Sequence, residues 1–248
     1  MCTTFALIAP AMDVSQDSAS VPQWMRGLWR RRSIRYPDGT YDDSTAVYWL
    51  QSESEFADIR IPAGRPRVRD RGDLAALSDS ELLALTRQGG FAGWTELSGM
   101  RCHWHRQIDF QPPTGVPDQG MVHRGDGVLI EEGVHERYIE IWESITSGPA
   151  GADALLARRA AAAMGGRLVI GGNVFFFVRD GRPPLARASS LAALAPENGQ
   201  RRAALLALLD CEISFGRCRG GAVPWEITLS TLPYREGQSL LEVDCPSR

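Results

Sequence analysis

The chain has 248 residues, of which 44% are hydrophobic and 23% are charged, and its formal net charge at pH 7 is −3. These values are typical of a soluble globular protein and give no electrostatic reason to expect a nucleic acid or an anionic membrane as a partner. The chain has no lysine, so its 27 Lys+Arg residues are all arginine, a usage that we attribute to a GC-rich coding background.

The opening segment, MCTTFALIAPAMD, has a short apolar run with no positive charge before it, which makes it a poor signal peptide. No apolar run approaches the ~20 residues that a membrane-spanning helix needs. We therefore expect a cytoplasmic protein with a flexible N-terminal tail over residues 1–21 and a single domain over residues 22–248.

The chain holds five scattered cysteines, Cys2, Cys102, Cys211, Cys218 and Cys245. Their number is odd and no C-x-x-C pair occurs, which favours reduced, buried thiols over a disulfide framework.

Alternation of apolar and polar residues, which is typical of β-strands, begins at residues 26–36 and recurs at 44–52 and 56–63. A helical pattern follows over residues 77–88, where Ser78 or Asp79 can cap the first turn. The alternation then resumes over residues 90–110, where a break near Gly99 is expected.

Further strand patterns occupy residues 121–133, with a Gly-Asp-Gly turn, and residues 135–145. Helical patterns at 150–164 and 198–209 interrupt the remaining strand patterns. The sequence thus predicts a mainly β protein with about nine or ten strands and two or three short helices. Because closure removes exposed strand edges, a single antiparallel barrel is the expected architecture.

The first strand pattern opens on Gly27-Leu28-Trp29, and the chain later carries VYWLQ, FADIRIP, a Gly-Trp-Thr strand and YIEIWE. Gly-x-Trp at the start of a meander resembles the calycin superfamily, which includes the lipocalins and fatty-acid-binding proteins. The whole pattern also loosely resembles the fungal HRI1 family and its bacterial relatives. The resemblance implies a calycin-like β-barrel in which Trp29 closes the floor, packed by an arginine from a late strand, either Arg217 or Arg235.

The two faces of the predicted strands differ in composition. One face is aliphatic, and the other mixes large aromatic with polar residues, as in Trp29 beside Arg31, Trp49 beside Gln51 and Tyr138 beside Glu140. So many aromatic residues are uncommon on a solvent face, and this mixture is typical of ligand cavities. We expect the mixed face to line the barrel interior; the alternative is that the tryptophans fill a closed core.

An interior of this kind predicts the binding of a small, partly aromatic molecule, and an arginine there would suit an acidic group on it. The candidate ligand-binding residues are Arg31, Trp49, Arg60, Tyr138 and Trp142. Glu140 and His105 are the candidate catalytic residues for cofactor-independent lyase or isomerase chemistry. Whether the chain is an enzyme stays open, and a purely structural Glu140–arginine pair is the alternative. Glu131 and Glu132 are expected in a solvated turn.

The stretch MRCHWHRQIDF, residues 100–110, holds two of the four histidines. On a strand, His103 and His105 share one face, while Cys102 and Trp104 share the other. A metal site needs three or four converging ligands, and two imidazoles supply only half of one. We therefore expect neither metal nor cofactor and place His105 in the ligand pocket. A haem- or metal-binding barrel using His103 and His105, or a protein-interaction module with a filled barrel, remain the alternatives. The oligomeric state is not predicted.

Overall fold

The computed structural model describes residues 20–68, 72–148, 154–218 and 225–241. The predicted tail up to residue 19, as well as Cys2 and Cys245, lies outside the described residues. The described strands form two antiparallel sheets. The first sheet has nine strands: β1 (Gly27–Arg35), β2 (Tyr41–Asp42), β3 (Ala46–Gln51), β4 (Glu55–Ile61), β5 (Gly89–Ser98), β6 (Arg101–Asp109), β7 (Gln119–Arg124), β8 (Val128–Gly133) and β9 (Ile139–Ile145). The second has four: β10 (Arg167–Gly171), β11 (Val174–Asp180), β12 (Cys211–Cys218) and β13 (Trp225–Ser230).

The first sheet closes into a barrel. Its order is β2-β1-β3-β4-β5-β6-β7-β8-β9, and β9 also pairs with β1 along nearly the whole of both strands. The two-residue β2 only extends the sheet beside the end of β1, so the barrel has eight strands. An eight-stranded antiparallel up-and-down barrel is the architecture of the lipocalins, so the predicted calycin-like fold is confirmed.

The barrel has fewer strands than expected because the last four form the second sheet. Once β1 and β9 pair, the barrel has no free edge at which a further strand could join. The second sheet instead packs beside the barrel: Leu50 and Ile59 on its outer surface belong to one core cluster with Phe176 and Phe215. The aliphatic strand face therefore packs outside the barrel, as predicted.

The three α-helices lie close to their predicted positions. They are α1 (Asp79–Leu85), α2 (Ala154–Ala163) and α3 (Arg201–Leu208). Helix α1 begins at a capping box, in which the Ser78 hydroxyl accepts from the backbone of Glu81 and the Glu81 carboxylate accepts from the backbone of Ser78. No helix among the described residues is both long and apolar enough to cross a membrane.

The end of the barrel near the start of β1 is closed by the segment that precedes it. Val21 and Met25 are buried, and the Trp29 indole nitrogen donates a 2.8 Å hydrogen bond to the Met25 carbonyl oxygen. The expected arginine partner is wrong. Arg217 lies on β12, and Arg235, in a short turn after β13, bonds Glu212 of β12, so both lie with the second sheet and not at the barrel floor.

Candidate functional site

The barrel interior is filled by aromatic side chains. The tryptophans pack edge to face or stacked, with the Trp49 ring centroid 6.0 Å from that of Trp104 and 5.5 Å from that of Trp142. The mixed strand face thus lines the interior, as predicted. A small cavity remains beside them, and the volume that the centre of a water molecule can occupy in it is only about 20 Å³. That volume suits one water molecule, so the expected interior pocket for an aromatic ligand is wrong in this structure.

A layer of buried charge lies above the tryptophans. The Arg31 guanidinium bridges Glu140 and Asp42 at 2.8 Å each, and the side chains of Arg31 and Glu140 are 6% and 1% exposed. Arg60 donates to Asp58 at 2.8 Å and lies 3.6 Å from Glu140. The structure therefore brings the candidate residues Arg31, Arg60 and Glu140 together, but as paired ions inside the wall of the barrel.

Glu131 lies beside this layer, and the expectation that it is solvated is wrong. It is 5% exposed, since its position on β8 points inward. Tyr138 donates its hydroxyl to one carboxylate oxygen at 2.7 Å, and the Trp142 indole donates to the other at 3.2 Å. Burial, together with the nearby Glu140 charge, raises the pKa of Glu131 well above its usual range. Residues 128–132 do not alternate between apolar and polar, but Glu131 lies two residues after Leu129 and therefore shares its strand face. That spacing from an apolar residue was the signal that could have placed Glu131 inside.

Three buried polar atoms among the described residues have no hydrogen-bond partner: the indole nitrogen of Trp49, one oxygen of Asp58 and one of Glu140. Trp49 and Asp58 both line the small interior cavity. Burial raises the pKa of Asp58 to about 6 despite the opposing charge of Arg60. A water molecule in this cavity would have one donor and one acceptor to bond.

His105 lies outside the barrel, contrary to expectation. Cys102 and Trp104 are buried in the interior cluster, so the alternating residues His103 and His105 point outward. His105 stacks on Trp94 of β5, with ring centroids 3.6 Å apart and planes 8° apart. Burial and the neighbouring His105 lower the pKa of His103.

The outward face of β6 forms one wall of a groove of about 760 Å³. The groove exists because β6 continues to Asp109, whereas its last registered pair with β7 is His103 with Gln119. The chain between these strands leaves the barrel wall, and its residues 111–118 line the groove. Among the groove-lining residues are His105, Gln107, Pro113, Val116, Tyr138 and Leu185.

Arg106 fixes the segment of residues 110–118 to the barrel. Its guanidinium donates to Asp118 at 2.9 and 2.7 Å and to Asp109 at 2.8 Å. The guanidinium carbon also lies 3.6 Å from the ring centroid of Phe91, a cation–π contact at the mouth of the barrel. Two-point ion pairing of this kind holds geometry well, so this wall of the groove is defined in advance of binding.

Arg182 fixes the opposite wall, which continues through Pro183, Pro184 and Leu185. Its side chain is 1% exposed and donates to the carbonyl oxygens of Asp109 at 2.7 Å and Phe110 at 2.9 Å. Five hydrogen-bond donors on a planar group allow such multiple contacts. Both walls are thereby tied to the same end of β6.

The structure divides the seven candidate site residues between two places. Tyr138 and His105 line the groove. Arg31, Trp49, Arg60, Trp142 and Glu140 lie in the interior cluster or its charged layer. Of the seven, only Tyr138 reaches both places, because it lines the groove and its hydroxyl bonds the buried Glu131.

The described cysteines are free thiols, as the sequence predicts for Cys102, Cys211 and Cys218. Burial raises the pKa of Cys211 to about 12 and that of Cys218 to about 11. Thiols with such pKa values are poor nucleophiles near neutral pH.

No family model and no curated protein matches this chain. A solved structure of a lipocalin-like protein from Bacteroides uniformis is 17% identical, and the overlap covers 48% of this chain and 97% of that protein, with a TM-score of 0.31. The barrel is calycin-like in its strand order and its closure.

Proposed function

We propose that this chain binds a small, partly aromatic molecule in the groove beside β6. The observation that carries the proposal is the contrast in volume: about 760 Å³ in the groove against about 20 Å³ in the barrel interior. Ligand pockets in proteins usually measure about 300–1,000 Å³ and combine apolar walls with a few polar groups.

The chemistry of the groove walls supports an aromatic or flat apolar ligand part. Pro112, Pro113 and Pro117 line one side, and Pro183 and Pro184 line the other. Proline rings present flat apolar faces on a backbone of fixed φ, so these walls lose little conformational freedom when a ligand binds.

The polar groups in the groove define how such a ligand would be oriented. His105 and Gln107 project from β6, and His105 Nε2 lies 2.9 Å from Glu96 Oε2. Lyase or isomerase chemistry in this groove would fall to His105, since a paired carboxylate orients an imidazole for proton transfer. Glu140 is enclosed with Arg31 and does not line the groove, so a catalytic role for it would need the charged layer to open.

Titration with anilinonaphthalene sulfonate, an acidic aromatic probe, tests the proposal. We expect saturable fluorescence enhancement at one site. Val116→Glu, which places a negative charge in the groove, should weaken the affinity by about tenfold or more, which is about 1.4 kcal/mol. Leu155→Glu is the matched control, because Leu155 is an exposed apolar residue outside the groove, and it should leave the affinity unchanged.

Two outcomes would overturn the groove proposal. Equal affinity in wild type and Val116→Glu would mean that the probe binds elsewhere. Absence of saturable binding would favour the protein-interaction module, with which a filled interior is compatible, and a Soret band in the purified protein would favour the haem alternative.

A further inference from the structure

Three side chains with metal-binding chemistry converge on the outer face of the β5–β6 hairpin: Glu96, His103 and His105. Glu96 lies directly opposite His103 in the register of these antiparallel strands, and Trp94 lies opposite His105. Side chains of directly opposed residues are close neighbours, and residues two apart on one strand share a face. The backbone alone therefore places the three side chains together.

The distances between the side chains confirm the convergence. One ligand atom from each residue lies within 4.8 Å of the others. His105 Nε2 is 2.9 Å from Glu96 Oε2, and the centroids of the two imidazoles are 3.7 Å apart. Ligand atoms on a tetrahedral zinc ion lie about 3.3–3.5 Å from one another, so side-chain movements of about 1 Å would complete the geometry.

The surroundings hold one imidazole in place and leave the site accessible. Stacking on Trp94 restricts the plane of the His105 ring. The side chains of His105 and Glu96 are 27% and 55% exposed, so an ion can approach from solvent. His103 and His105 also line the groove.

We propose that Glu96, His103 and His105 bind one Zn²⁺ ion through two imidazole nitrogens and one carboxylate oxygen, with its fourth position open to solvent and the groove. Two nitrogens and one oxygen suit Zn²⁺, whereas Mg²⁺ and Ca²⁺ prefer oxygen ligands alone. Three protein ligands with an open fourth position are typical of zinc sites that also bind a water molecule or substrate. The proposal departs from the expectation of no metal because Glu96 supplies the third ligand. With zinc bound, His105 would serve as a ligand and not as the proton-transfer group that it could be in the metal-free groove.

The other histidines provide an internal comparison. His123 lies 3.9 Å from Glu132 on neighbouring strands, and His135 contacts Gln119. Within the described ranges of the chain, no further set of three His, Cys, Asp or Glu side chains brings its ligand atoms as close together.

Calorimetric titration of chelator-treated full-length protein with ZnCl₂, without any organic ligand, tests the site. We expect one ion per chain. Loss of a group that merely orients a metal ligand usually weakens affinity by about 10–100-fold, so removing a direct ligand should weaken it by at least about tenfold. His103→Ala, His105→Ala and Glu96→Gln should all show this loss, and His123→Ala, the matched control, should bind as wild type does.

The three variants keep the proposal testable even if one of them folds poorly, since Glu96→Gln alters only an exposed side chain. Unchanged zinc affinity in the folded variants, or no binding by wild type, would overturn the proposal. An equal loss in His123→Ala would also overturn it, because the ion would then not be held at the proposed site. When the probe titration of wild type and Val116→Glu is carried out on the same chelator-treated protein, failure of the groove and failure of the zinc site give separate results.

Discussion

The indole nitrogen of Trp29 lies 2.8 Å from the main-chain carbonyl oxygen of Met25 and donates a hydrogen bond to it. Both residues are buried in the cluster that fills the barrel. The Trp29 ring also stacks on Trp49, with centroids 6.2 Å apart. The strand that opens the barrel and the segment that closes its floor are thus joined at a single side chain.

Replacing Trp29 by Ala should therefore lower the free energy of unfolding by about 3–5 kcal/mol, because it removes a large buried aromatic and leaves a cavity. Urea denaturation followed by circular dichroism measures this loss. Trp29→Phe keeps most of the ring volume and should lose less. A change below about 1 kcal/mol in the alanine variant would contradict the closed floor.

Arg31 and its neighbour Arg30 provide a paired test of the charged layer. Arg31 is enclosed between Glu140 and Asp42. Arg31→Met leaves the Glu140 carboxylate buried with less compensation, and we expect a loss of about 3–5 kcal/mol in unfolding free energy. Arg30 pairs with Glu143 at the surface, where its side chain is 52% exposed, so Arg30→Met should cost under about 1 kcal/mol. Similar losses in both variants would contradict the burial of the layer.

Asp58 should make stability depend on pH in the acidic range. Its pKa is raised from 3.8 to about 6 in the folded protein, because burial disfavours the carboxylate. The folded protein then holds this proton more tightly than the unfolded chain, so the stabilisation is fully present below about pH 4 and is lost as pH rises through about 6.

As the pH rises from below about 4 to above about 6, deprotonation of Asp58 should lower the free energy of unfolding by about 3 kcal/mol. Urea denaturation at a series of pH values measures it, and the decline between pH 4 and pH 6 should be smaller in Asp58→Asn than in wild type. Glu131 stays in both proteins, so its own titration cancels in the comparison. An equal decline in the two proteins would show that Asp58 is not responsible.

The sequence predicts those parts of the fold that depend on residues close to one another along the chain. The capping box of Ser78 and Glu81 starts α1 within the predicted range, and period-two patterns mark the barrel strands. The division into a barrel and a second sheet depends instead on pairing between β1 and β9, whose residues are more than one hundred positions apart. No local pattern specifies that contact, so the strand count of the barrel could not be obtained.

The candidate site was only partly predictable for a related reason. The rule that the aromatic face points inward placed Trp49 and Trp142 correctly, and the same rule applied to β6 puts Trp104 inside and His105 outside. The turn at Gly99, which has a φ of +62°, pairs Ser98 with Arg101 and hence Glu96 with His103. The pairing of Glu96 with His103 could therefore be predicted from the sequence. The groove could not be predicted, because it depends on where the segment of residues 110–118 leaves the barrel.

Gly93 allows the geometry of β5 and β6 to be tested directly. Ala92 pairs with Ile108 and Gly93 pairs with Arg106, which leaves Gln107 of β6 as the extra residue of a β-bulge. A Cβ atom on Gly93 would lie 1.9 Å from the carbonyl oxygen of His105. Because that atom belongs to the backbone, the two strands would have to separate.

Gly93→Ala should therefore cost about 3 kcal/mol or more in unfolding free energy, at the upper end of the range for overpacking substitutions. Gly64→Ala is the matched control: its added Cβ meets no atom within 4 Å, and its effect should stay within about 0.5 kcal/mol. Thermal and urea denaturation measure both losses. Because the added Cβ would press on the backbone of His105, any folded Gly93→Ala protein should also bind zinc more weakly than Gly64→Ala. Stability equal to that of the Gly64 variant would mean that the strands do not approach as closely at Gly93 as the structure has them.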